Sequence, residues 1–136
     1  MGLIPILTAG YIVYLHFWES SKGERAYVSF FDNNVYLIHL SCAIVVACIG
    51  FFFAKFIPDA QFMFSPLVFL ILFKPADLIS LAINKRHIML TRMSRFGLGG
   101  VEKGQKISDF ALDLLITGLT FLMCILIHVI LPAQFP

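Results

Sequence analysis

Four apolar runs separated by polar stretches organise the chain. The first is Leu3 to Trp18, "LIPILTAGYIVYLHFW", followed by the polar stretch "ESSKGERAYVSFFDNN" with its aromatic patch. The second, Val35 to Ile57, is closed by Pro58-Asp59 in a tight "PDAQ" reversal. The third reaches Ile83, and the fourth runs from Ala111 to Leu131 with Pro132 beyond it. Runs of roughly 20 apolar residues have the length of a bilayer-crossing helix. The first run, counted from Met1, makes about 27 Å of helix, just adequate to span, and Tyr14 and Trp18 suit an interfacial end. Asp32, Asn33 and Asn34 are capping residue types ahead of the second run, and Ser108 or Asp109 ahead of the fourth. The expected fold is an all-α membrane protein of one domain, residues 1–136, with four transmembrane helices at about 1–18, 35–57, 62–83 and 111–131.

The third run is interrupted. In "FLILFKPADLISLAI" a lysine, a proline and an aspartate stand inside hydrophobic sequence. Phe62 to Phe73 alone is too short to cross. Ser65-Pro66 reads as an N-cap with proline at the first helical position, and Pro66 to Ile83 makes about 27 Å of helix. Charge arbitrates between one crossing and a re-entrant turn. With four spans, Lys22, Arg25 and the cations Lys85, Arg86, Arg92, Arg95, Lys103 and Lys106 share one side, while the other holds the termini and "PDAQ" with only Lys55 nearby. That asymmetry marks the cytoplasmic face. A single crossing kinked at Lys74-Pro75 is expected, with both termini outside and the basic 84–110 loop cytoplasmic. Past the kink, Leu78, Leu81, Ala82, Met89 and Met93 share one helical face and Asn84, His87, Thr91, Ser94 and Arg95 the other, which predicts an amphipathic extension along the membrane surface.

Composition strengthens this reading: 60% of residues are hydrophobic and 13% charged, about half the charged share of a soluble domain. A core of this size has no room for so much apolar surface. The compact size leans toward a bacterial inner membrane. No cleavable leader is expected, since the first run lacks a basic n-region. The net charge of +2 comes with no nucleic-acid motif. The loop cations Lys85, Arg86, Arg92 and Arg95 suit anionic lipid headgroups. Cys42, Cys48 and Cys124 lie in apolar runs without metal-ligand spacing and read as packing residues.

Three constellations stand out. Ala43, Ala47, Gly50 and Ala54 form a small-residue stripe on the second helix, where another helix can approach closely, within the protomer or between copies. Asp113, Thr117, Thr120, Cys124 and His128 form a polar seam on the fourth, for interhelical hydrogen bonds or for a path for ions or protons. His16, His39, Asp77 and Asp113 lie toward the inner ends of their helices, with Lys74 nearer the midplane. An uncompensated charge there costs about 3 kcal/mol, so Lys74 either pairs with Asp77 or Asp113 or snorkels to water.

No phosphate loop, nucleophile elbow or zincin motif is present, and no metal or cofactor is expected. The expected function is non-enzymatic: a structural or assembly subunit of a membrane complex, oligomeric with copies of itself or with other membrane subunits. The alternative is a small transporter or channel using the fourth-helix seam.

Overall fold

A computed structural model describes residues 3–17, 25–54, 56, 59–90 and 106–134, with the backbone alone at 16–17 and 131–134. The described residues are helical, without a strand. In chain order they form α1 (Leu3–Phe17), the 3₁₀ helix η1 (Ala26–Phe31), α2 (Asn33–Phe52), the 3₁₀ helix η2 (Ala60–Phe64), α3 (Ser65–Asn84) and α4 (Ile107–Gln134). Three stretches are long and apolar enough to cross a membrane: Asn33–Phe52, Ala60–Asn84 and Ile107–Ile130. α1 has 15 residues, roughly 22 Å of helix.

Local chemistry explains most boundaries. The Asp32 carboxylate accepts from Asn34 N–H at 2.8 Å, satisfying one of the donors that an α-helix start leaves open. α2 ends at Phe52, before the expected Ile57. At the reversal, Asp59 takes a left-handed conformation with φ 64°, which aspartate tolerates better than most residues. η2 then runs directly into α3, so Ser65 is no N-cap; its hydroxyl donates back to the Phe62 carbonyl at 2.8 Å. The helical turn ahead of α3 supplies what a cap would, and Pro66 occupies the first turn as expected.

α3 continues unbroken through Pro75 to Asn84. It stops at Lys85, which adopts φ 59° while its N–H closes on the Leu81 carbonyl at 3.1 Å. The amphipathic extension therefore does not continue as helix over 85–90. The left-handed residue turns the chain back, and Ile88 and Leu90 enter the core. The remainder of the basic loop, residues 91–105, lies outside the described residues.

α3 is the centre of the bundle and touches α1, α2 and α4, whereas no Cα of α1 comes within 8 Å of one in α2. η1 and η2 touch both α1 and α2 at opposite ends. In the sequence η1 shows only an aromatic patch within a polar stretch. Its Tyr27 and Phe30 turn inward, and Phe30 meets Phe73 edge-on at 5.7 Å and His39 at 4.8 Å. The outward faces are apolar: Leu37, Ile38 and Val45 on α2, and Leu114, Phe121, Ile125 and Val129 on α4, are exposed. Polar groups such as Ser80, Asp109 and Thr120 are buried instead. Apolar outside and hydrogen-bonded polar inside is the distribution a lipid solvent favours.

Candidate functional site

The residues with chemical potential gather where α3 and α4 reach the loop end. Asp109 is the third residue of α4 and is 0% exposed. One carboxylate oxygen accepts from Ser80 Oγ at 2.9 Å and Asn84 Nδ2 at 3.0 Å. The other accepts from Arg86 at 2.6 Å and from the Lys106 N–H at 3.2 Å. The last contact is the acidic half of a capping box, in which the third helical residue reaches back to the N-cap amide. Ser108 and Asn84 exchange hydrogen bonds at 2.9 and 3.0 Å. A buried carboxylate is thus held by one guanidinium and three neutral donors, the arrangement a charge needs when removed from water.

Asp77 forms a second hub one turn nearer the bundle centre. It accepts the Ile88 N–H at 3.0 Å, and His87 Nδ1 lies 3.0 and 3.1 Å from its two oxygens. The His87 ring stacks on Phe31 with centroids 4.1 Å apart. Arg25 donates to the Leu90 carbonyl at 2.7 Å. These bonds fasten the returning 85–90 segment to α3 on one side and to the η1 region on the other.

This geometry revises the expected charge cluster. Lys74 bonds to neither Asp77 nor Asp113. Its ammonium donates to Asn33 Oδ1 at 3.0 Å and to the Phe30 carbonyl at 3.4 Å, and lies 4.6 Å from the Tyr36 ring centroid. The side chain reaches the polar start of α2, so it snorkels rather than pairs. Asp113 is buried one turn along α4 from Asp109. Arg86, expected at the headgroups, turns inward onto Asp109 because the bend at Lys85 reverses its direction. Lys85 itself is exposed. Arg92 and Arg95 lie outside the described residues, as does the His16 side chain.

The fourth-helix seam divides. Asp113, Thr120 and Cys124 are buried, Thr117 is half-buried and His128 is exposed. Thr120 is satisfied within its own helix, donating to the Ile116 carbonyl at 2.8 Å. That bond is not an interhelical tie. In the small-residue stripe, Ala43, Ala47 and Gly50 are buried, while Ala54 lies past the end of α2. A Cβ on Gly50 would lie 2.9 Å from Met63 Cβ and 3.2 Å from the Ala60 carbonyl. Gly50 therefore admits η2 of the same chain.

Elsewhere, Tyr11 and His39 join α1 to α2 through an oxygen–nitrogen contact of 3.2 Å. Among the described residues, no three His, Cys, Asp or Glu side chains come together as metal ligands. In the sequence Asp109 reads only as a possible cap, and no motif points to Ser80 or Asn84 as its partners. The signal was "KISD", where an acidic residue stands three positions after the N-cap, ahead of an apolar run. No protein-family model matches the chain, and no curated protein and no solved structure matches it significantly.

Proposed function

We propose that this membrane-integral chain is a non-enzymatic assembly or scaffold subunit of a larger membrane complex. One observation carries the reading: the buried polar groups are engaged in ties internal to the chain, above all the four donors on Asp109, while wide apolar faces of α2 and α4 stay unpartnered. In this reading α1 is a fourth, short crossing, accommodated by local bilayer thinning, and α3 bends at Pro75. The bond from Arg25 to Leu90 and the stack of Phe31 on His87 support a common side for the loops after α1 and α3. With the basic residues cytoplasmic, both termini lie outside a bacterial inner membrane, and Lys85, Arg92 and Arg95 meet anionic headgroups.

Extraction in mild detergent followed by native mass spectrometry tests the function. Stoichiometric recovery with a larger membrane protein supports it. Recovery as a small homo-oligomer whose ion flux in vesicles is lost on Asp113→Asn, with assembly intact, would establish the transporter instead.

A further inference from the structure

The gap between α1 and α2 is a groove of about 380 Å³. η1 and η2 hold the two helices apart at their ends. Its walls include Leu7 and Tyr11 from α1 and His39, Cys42 and Val46 from α2, with Met63 closing the far end. Ile4 to Tyr11 and His39 to Val46 each rise roughly 10 Å, so the slot is about that long. Leu7 on its rim is 62% exposed, and its apolar neighbours Leu3 and Ile6 are exposed too. The groove therefore opens onto the surface that faces hydrocarbon.

At the η1 end the apolar lining gives way to Tyr11 and His39, bonded to each other at 3.2 Å. The pair carries two polar hydrogens, one phenolic and one on the imidazole. Their mutual bond uses one, whichever tautomer holds. The other remains available: neither residue has a further hydrogen-bond partner, and no fully buried side-chain nitrogen or oxygen among the described residues lacks one. A free donor at the edge of hydrocarbon favours an acceptor that is itself carried into the bilayer. His39 lies about 9 Å along α2 from Asn33, where Asp32, Asn33 and Asn34 are exposed. A headgroup at that polar level brings its ester linkage down toward the pair, since the headgroup layer is only about 5–7 Å thick.

We infer that the α1–α2 groove binds one acyl chain of a glycerophospholipid from the η1-side leaflet, with the Tyr11–His39 pair donating to its ester carbonyl. The site does not rest on the scaffold reading, and a transporter would carry it equally well.

The test uses the full chain in vesicles of phosphatidylethanolamine and phosphatidylglycerol containing a trace of phosphatidylglycerol with a photoreactive diazirine in one acyl chain. Irradiation and peptide mapping should place adducts on Leu7, Cys42, Val46 and Met63, above those on the exposed α4 residues Phe121 and Ile125. Leu7→Trp, at the exposed rim, and Ala43→Trp, deeper in, should each abolish the groove adducts. The rim variant keeps the test valid if the deeper one fails to fold. Tyr11→Phe combined with His39→Phe should lower groove labelling roughly three- to tenfold, the worth of one hydrogen bond. Labelling spread evenly over α2 and α4 and unchanged by Leu7→Trp would overturn the site. Displacement of the labelled phospholipid by an isoprenoid quinone at a small fraction of the lipid would overturn the occupant.

Discussion

The two helix pairs of this bundle are joined in opposite ways. α3 and α4 meet through a buried carboxylate bonded by a serine, an asparagine, an arginine and a backbone amide. α1 and α2 are consecutive in the chain yet stand apart, linked by a tyrosine–histidine contact across an apolar gap. Length and hydrophobicity do not explain the contrast. It follows from the residues at the helix ends. The α3–α4 junction carries a bend, a cap and complementary polar side chains that lock one arrangement, because each polar atom buried there needs its own partner. The α1–α2 pair has two 3₁₀ helices wedged at its ends, and hydrocarbon is free to fill the space between. One pair specifies structure and the other leaves a place for the solvent of the membrane.

The largest effect should come from the locked pair. Asp109→Ala strips Ser80, Asn84 and Arg86 of their common acceptor and should destabilise the folded protein by about 3–5 kcal/mol, the usual cost of breaking a buried, hydrogen-bonded ion pair. Denaturant unfolding in mild detergent reads this directly, and a loss below 1 kcal/mol would show that the junction is not closed as described. Next in size is Gly50→Val, which drives a branched side chain into Met63 and η2 and should cost about 1–3 kcal/mol, read by the same denaturant unfolding. Unchanged stability together with a changed oligomeric state would move the stripe to an interface between subunits.

How much of this contrast is legible in the sequence depends on how local its cause is. α2 announces itself through its apolar run and the Asp32 cap, and α4 through its apolar run, although Ser108 and Asp109 lie inside α4 rather than capping it, because a bilayer demands length and composition above all. α3 is legible as one helix from Pro66 onward, but η2 ahead of it is not, since "AQFMF" carries no capping signal and its contact with Gly50 exists only in the folded chain. The fate of Arg86 turns on a single left-handed residue, Lys85, a conformation that lysine rarely announces. Lys74 misleads for a geometric reason. Its Cα is deep in α3, but its long side chain reaches Asn33 and the Phe30 carbonyl, so nearness in sequence to Asp77 does not become contact.

Smaller effects sharpen the comparison. Asp77→Asn weakens the anchor of the 85–90 segment and should cost about 1–2 kcal/mol, visible as faster amide exchange at Ile88. Exchange unchanged at Ile88 would mean that the segment is held by its apolar burial alone. The smallest effect is a coupling: replacing Lys74 and Asp113 by apolar residues, singly and together, should give additive losses within about 0.5 kcal/mol, as for side chains that share no contact. A coupling of several times that size would restore the Lys74–Asp113 pair.

The central claim is that the charges at the loop end are committed to holding α3 against α4. A double-mutant cycle on stability across Arg86 and Asp109, using Arg86→Met and Asp109→Leu, tests it most directly. The account predicts an interaction of about 1.5–3 kcal/mol, with the double variant less damaged than the sum of the singles. A coupling indistinguishable from zero would place the Arg86 guanidinium elsewhere and contradict it.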